Sequence, residues 1–485
     1  MNPMTANKLG RVVLMTAILS AACASSAQTI SLDSCRNMAL ANNKTVRMAE
    51  EAIRGTGYDR KAAKAAYLPG IDASATYLYN QRTINLLGED AKLPTMSFNP
   101  GTGKFEWNIL TDPSGNPILN PDGGGYIPTE VAVIPKEAMS FDTHNIFAGA
   151  VTLTQPVFMG GMIKALNDIA KYAEAGAKAA RDQIVQDVIF GVDQAYWQVV
   201  SLKAKERLAD SFVRLVDSLH NSVKAMLDEG VATRSDLLTV EVKLNEARIM
   251  QTKVQNGLTL SRMALAQICG MPLRGDFTLT DESLSGAKIR TTPHIPEMNE
   301  VYARRSDLEV LRQGINLLEG RERLTRGSML PKLGVVGAYE FSTPNLNNGF
   351  SKKVGGGFTI GAALTIPIWH WGQNYNHYRA AKSATNAQRI LLEDLEEKVD
   401  LQVTQARFQF DEAYKTYEMT VNNQISAREN LRNAEIGFSE GVLTTNDVIL
   451  AQTAWLQAHS EEIDAEIGIR LCEVYLRKVL GTLNY

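Results

Sequence analysis

The chain has 485 residues, 45 % of them hydrophobic, and a formal net charge of −3. It can bury a large core. It carries no basic excess, so nothing points to a nucleic-acid surface.

The first predicted element is a secretory leader over residues 1–27. Lys8 and Arg11 precede an apolar stretch from Val12 to Ala22, and Ser25 and Ala27 supply small residues before a cleavage point after Ala27. The stretch is too short to span a bilayer as a helix. An alternative reading lipidates Cys23, although Ser20-Ala21-Ala22 lacks the Leu usual before such a cysteine. Cleavage leaves Cys35, Cys269 and Cys472. An odd number at wide spacing gives no disulfide framework, and without a CxxC there is no metal pattern. They read as three small, partly buried residues.

The rest of the chain is written twice. Pro156 and Pro367, Gly161 and Gly372, Gln194 and Gln405, Gly230 and Gly441, Asp236 and Asp447, and Gly270 and Gly481 are all 211 residues apart. One offset over so long a stretch marks an internal repeat. Residues 28–285 form the first repeat and 286–485 the second. Upstream the offset is 262, from Leu68-Pro69 to Leu330-Pro331, so the first repeat carries an insertion of 51 residues. It falls in a loop at about 81–143, dense in Gly, Pro, Asn and Asp. The second loop, STPNLNNGFSKKVGGG, is short.

Each repeat predicts helix, strand, loop, strand, long helix, turn and return helix. Ile71, Ala73, Ala75, Tyr77 and Tyr79 alternate with Asp72, Ser74, Thr76, Leu78 and Asn80, and Phe358, Ile360, Ala362, Leu364 and Ile366 alternate with Thr359, Gly361, Ala363 and Thr365. This is the pattern of a half-buried strand, or of a membrane-barrel strand with lipid outside and water inside. Leu333, Val335, Tyr339 and Phe341 mark a third strand, and 146–155 a weaker fourth. Pro69 and Pro331 end helices. Pro156 and Pro367 lock φ where strand is expected to become helix. Tyr77, Tyr79 and Tyr339 suit either core packing or an interfacial aromatic girdle, and Trp369-His370-Trp371 suits a membrane boundary.

Ile184, Val188, Val192, Ala195, Val199 and Leu202 step by threes and fours, and the stripe runs on through Leu208, Phe212, Leu215, Leu219, Val223 and Met226. Such a seam wants a coiled-coil neighbour. No Pro interrupts 157–271, so a helix of about 160–228 would run roughly 100 Å at 1.5 Å per residue. Two similar stretches follow, EGVATRS in the tip turn 229–235 and EGVLTTN in the tip turn 440–446. Gly230 and Gly441 read as left-handed helix ends. Thr233 with Asp236, and Thr444 with Asp447, read as capping boxes that start the return helices.

The opening SLDSCRNMALANN, both Leu-Pro junctions, TQPVFMGG, TIPIWHWG and the two EGV turns, in this duplicated order, resemble the TolC-type outer-membrane efflux channel family. The resemblance covers essentially the whole mature chain. It implies a mixed α/β membrane protein: a homotrimer whose chains give four strands each to a shared twelve-strand β-barrel, continued by a long α-helical coiled-coil barrel in the periplasm of a Gram-negative bacterium. It implies an outer-membrane exit duct set in lipid, whose tips meet a periplasmic adaptor (membrane fusion) protein and an inner-membrane transporter of RND or ABC type, with Gly230, Thr233, Gly441 and Thr444 at the adaptor contact. The residues independently require several copies, since four strands cannot close a membrane barrel and open edges are not tolerated in lipid.

The family's gate pattern places Asp447 at the tunnel mouth, with Asp236 as its repeat partner. Two roles stand open for them: helix caps alone, or also an acidic ring that favours cations. The pattern departs at Phe438, where a Tyr hydroxyl is lost, at Leu443, where an Arg is lost, and at Leu450, where an acid is lost. Arg234 is the obvious candidate for a polar link, and it reads equally as a solvated turn residue. No catalytic motif occurs, and no cofactor is implied. His370 and His377 lack a carboxylate fixed by spacing, so no metal site is expected. The competing reading is an exported, non-conducting helical scaffold that binds protein partners.

Overall fold

The computed structural model describes residues 28–123, 125–273, 276–283, 295–345 and 353–483. The predicted leader with Cys23, the boundary at 285/286 and much of the short second loop lie outside the described residues.

In chain order the elements are β1 (Gln28–Ile30), α1 (Leu32–Asn42), α2 (Lys44–Ala65), β2 (Gly70–Tyr79), β3 (Ile84–Asn85), β4 (Ala91–Pro94), β5 (Met96–Asn99), β6 (Lys104–Trp107), β7 (Val131–Ile134), β8 (Ser140–Phe141), β9 (Asn145–Met159), α3 (Met162–Asp228) and α4 (Arg234–Cys269). There follow β10 (Phe277–Leu279), α5 (Met298–Arg304), α6 (Ser306–Gly327), β11 (Lys332–Thr343), β12 (Gly355–Thr365), α7 (Gln373–Ser439) and α8 (Thr445–Val479). α3 and α7 each have 67 residues, and α2 and α6 each have 22. No described helix is long and apolar enough to cross a membrane.

The chain forms two compact units. One is helical, made of the chain through Lys61, Leu166–Glu322 and Arg379–Tyr485. Its core follows the predicted seam. Val192 and Val199 are fully buried, with Val188, Ala195 and Leu202 packed against them. Their repeat partners Val403 and Phe410 are buried beside Val399 and Ala406. Burying each such Val or Phe contributes about 1.5–3 kcal/mol. A small parallel ladder joins β1 to β10 in the same unit. Ser31 caps α1 by accepting from the Ser34 amide.

The other unit, Ala62–Ala165 with Arg323–Tyr378, holds a four-stranded antiparallel sheet in the order β12-β11-β9-β2. Register aligns the predicted faces. Ile71, Leu153, Gly337 and Ile360 share one row, and Ala73, Val151, Tyr339 and Phe358 the next. The alternate rows hold Asp72, Thr152, Ala338 and Thr359, then Ser74, Ala150, Glu340 and Gly357. One face is therefore large and apolar, the other small and polar.

Several expectations need correction. Burial is uneven across the sheet: β2 is exposed at all ten positions, with nothing among the described residues covering it, whereas β11 is half-buried over its first seven. The weak fourth strand is the longest, the 15-residue β9. Pro156 does not end it. Pro156 lies inside β9 opposite Gly334, where the register slips and Val157 is the extra residue. A proline without an N–H is tolerated at such a bulge. The turn into α3 is made instead by Gly160 and Gly161, at φ +61° and +79°. Pro367 likewise stands clear of α7, which begins six residues later, after Gly372 at φ +76°. Pro69 and Pro331 immediately precede β2 and β11, where they hold the chain extended after α2 and α6. The inserted loop is not irregular: it contains three antiparallel ladders, β3–β8, β4–β7 and β5–β6.

Candidate functional site

The two helix reversals have the same construction. At the first, the Gly230 N–H donates to the Leu227 carbonyl at 3.0 Å and the Val231 N–H to Met226 at 2.7 Å. At the second, Gly441 donates to Phe438 at 3.1 Å and Val442 to Gly437 at 2.8 Å. These are Schellman bonds, and they need a left-handed residue at the bend. Gly230 and Gly441 supply it at φ +76° and +73°.

The return helices start from reciprocal caps. Thr233 Oγ1 accepts from the Asp236 N–H at 3.2 Å, while Asp236 Oδ2 accepts from the Thr233 N–H at 2.9 Å and its hydroxyl at 2.6 Å. Thr444 and Asp447 repeat this at 3.3, 2.9 and 2.7 Å. The Thr hydroxyl and amide hold both carboxyls below the usual Asp range. Each box uses only Oδ2; Oδ1 takes no hydrogen bond among the described residues.

Both tips share one apolar cluster. Leu237, next to Asp236, and Val448, next to Asp447, are buried together with Phe212, Val216 and Val223. Phe438 packs on this cluster as an apolar ring. Leu443 folds back over Gly437: a Cβ at 437 would lie 2.8 Å from Leu443 Cδ1. Arg234 is exposed and makes no ion pair with the described residues of its own chain, so no Arg234–Asp link forms within one copy. Val231 and Val442, at 72 % and 78 % exposed, were not singled out from sequence. The signal was present, because the same apolar residue follows the glycine at both bends, where its N–H closes the Schellman motif while its side chain stays exposed. Among the described residues no group of three or more His, Cys, Asp or Glu gathers to hold a metal ion.

The profile of the outer membrane efflux protein family matches residues 121–271 and 298–482, well over half of the chain. The chain belongs to this family. Among its relatives, the outer membrane efflux protein BepC of Brucella suis is 22 % identical over 341 residues, covering 69 % of this chain and 72 % of BepC. Protein CyaE of Bordetella pertussis is 19 % identical over 338 residues, covering 69 % of this chain and 70 % of CyaE. The fold is that of solved outer membrane channels. The open state of Neisseria gonorrhoeae MtrE superposes with a TM-score of 0.69 at 16 % identity, over 93 % of this chain and 89 % of MtrE. Campylobacter jejuni CmeC gives 0.69 at 16 % identity, over 93 % and 85 %. This outer membrane efflux protein carries two capped tip turns and an exposed amphipathic strand, β2, in its four-stranded sheet.

Proposed function

We propose that this protein is the outer-membrane exit duct of a tripartite efflux or type I secretion system, in a Gram-negative bacterium. It conducts passively what an inner-membrane transporter of RND or ABC type and a periplasmic adaptor deliver. The observation that carries this reading is the four-stranded sheet, apolar on one face, polar on the other and open at both edges. Lipid covers the apolar face and water the polar one. Open edges cannot remain in lipid. β2 and β12 run antiparallel to each other, so β12 of one copy can pair with β2 of the next and keep the alternation. Four strands are too few to close, since the smallest membrane barrels use about eight. The family's three copies give twelve strands, and each chain contributes a duplicated set of helices to the periplasmic tunnel.

In a trimer, Asp447 and Asp236 each occur three times around the mouth, with Arg234 free to link one copy to its neighbour. Gly230, Thr233, Gly441 and Thr444, with the exposed Val231 and Val442, form the adaptor contact.

Single-channel conductance of the purified protein in a planar bilayer tests this. A discrete, cation-selective conductance that loses selectivity in Asp447→Ala is expected. Unchanged selectivity would reduce Asp447 to a helix cap. Silence from well-folded, inserted wild type and from the Asp236→Ala and Arg234→Ala variants would favour the non-conducting scaffold.

A further inference from the structure

Cys35 and Cys269 stand 234 residues apart in the chain, and both are wholly buried in one cluster. Cys35 lies in α1, and Cys269 is the last residue of α4. The Cys269 thiol donates to the Cys35 carbonyl oxygen at 3.6 Å. The proximity of the two thiols pushes Cys35 up and Cys269 down from the ordinary value. The backbones around them approach closely. Gly270 sits at φ +69°, and a Cβ there would lie 2.5 Å from Asn42 Cβ. Asn43 Nδ2 donates to the Ile268 carbonyl at 3.3 Å. Cys472, on α8, packs against a different cluster and cannot compete for either partner.

The second half makes the same approach without sulfur. There Gly481, at φ +67°, abuts Arg304, and a Cβ would lie 3.0 Å from Arg304 Cβ. The repeat offsets put Glu297 and Leu480 where the first half has its cysteines. The helix ends therefore meet without any need for thiols, and the sulfur pair is an addition specific to the first half.

We propose that Cys35 and Cys269 form a structural disulfide in the exported protein. An outer membrane protein passes through the periplasm, where disulfides form and persist. One cysteine thiolate attacks the disulfide of a periplasmic thiol–disulfide oxidoreductase and forms a mixed disulfide. The second thiolate then displaces the carrier, which leaves as a dithiol. Two protons leave the cysteines and two electrons pass to the carrier. The exchange precedes the docking of α1, because the docked sulfurs are out of reach of any carrier. The bond ties the start of the mature chain to the end of α4 and closes a loop of more than two hundred residues, the kind of crosslink that most restricts the unfolded chain. Burial then protects it from reduction.

The test is a thiol count on mature protein taken from the outer membrane, denatured with a maleimide reagent. Without reductant one cysteine, Cys472, reacts; after reduction three react. Cys472→Ser leaves none reactive without reductant, whereas Cys35→Ser and Cys269→Ser each leave two. Peptide mass mapping finds Cys35 linked to Cys269. Three reactive thiols in unreduced wild type, two in Cys472→Ser, or a link from either cysteine to Cys472 would overturn the proposal.

Discussion

Trp371 has a backbone φ of +51°, in the region that disfavours every side chain. Its repeat partner is Gly160, at φ +61°. The same strand-to-helix turn demands the left-handed conformation in both halves, and the surroundings decide the residue. A Cβ at Gly160 would lie 2.4 Å from the Gly327 carbonyl oxygen. Trp371 is 88 % exposed and stands edge-on to Trp369, ring centroids 5.9 Å apart. A side chain in this conformation costs about 1–2 kcal/mol. Trp371→Gly should therefore raise the thermal unfolding midpoint, while Gly160→Ala should lower it by more than the conformational cost alone. A drop in Trp371→Gly would show that the indole gives more in packing than the backbone loses. The pH response of the helical unit has its own residue. Lys178 and Arg60, at 2.7 and 2.9 Å, hold Glu174 down to about 2. A depressed carboxyl stabilises the fold fully above its unfolded value and loses that stabilisation as pH falls through the folded one. The Tm gap between wild type and Glu174→Gln should be constant above about pH 5 and close towards pH 2. A gap that persists at pH 2 would sink the assignment.

At the scale of elements, the two tip turns exchange large for small. The first pairs Met226 with Ala232, and the second pairs Gly437 with Leu443; the Ala232 and Leu443 amides donate to the Met226 and Gly437 carbonyls, at 3.1 and 3.0 Å. Overfilling a packed site costs about 1–3 kcal/mol. Gly437→Met alone should destabilise by this order, and adding Leu443→Ala should restore most of it by copying the first turn. A double-mutant cycle of unfolding midpoints measures the coupling; additive losses would refute the compensation. The turns and the long helices were legible in the sequence because glycine, threonine, aspartate and an unbroken apolar stripe act locally. β9 was harder. Ala148, Gly149 and Ala150 carry little alternation of their own, and the ring covering Gly149 belongs to Phe341 on the next strand. The ladders of the inserted loop were hidden for another reason: its Gly, Pro, Asn and Asp mark the bends between short strands, not the absence of strands.

For the whole molecule, the family and the mixed architecture could be read from duplicated order, although no single motif is specific. What escaped were relations between distant residues. Cys35 and Cys269 gave no spacing signal because only the folded helix ends bring them together. The fate of Pro156 depended on a register slip against β11 that one strand's sequence does not contain. Candidate tip residues were found as caps, yet whether Arg234 meets an acid depends on a second copy of the chain.

The sheet's two open edges have a genetic consequence. If copies close into the proposed ring, a copy whose β2 or β12 edge is spoiled, for instance by proline at a bonded position, harms intact neighbours that need that edge. Such an allele is dominant. In a cell making both forms equally, the proposed ring of three would be free of the defective copy about one time in eight, if copies mix at random. Residual transport should fall as a power of the intact fraction. The exponent of that curve counts the copies in the ring.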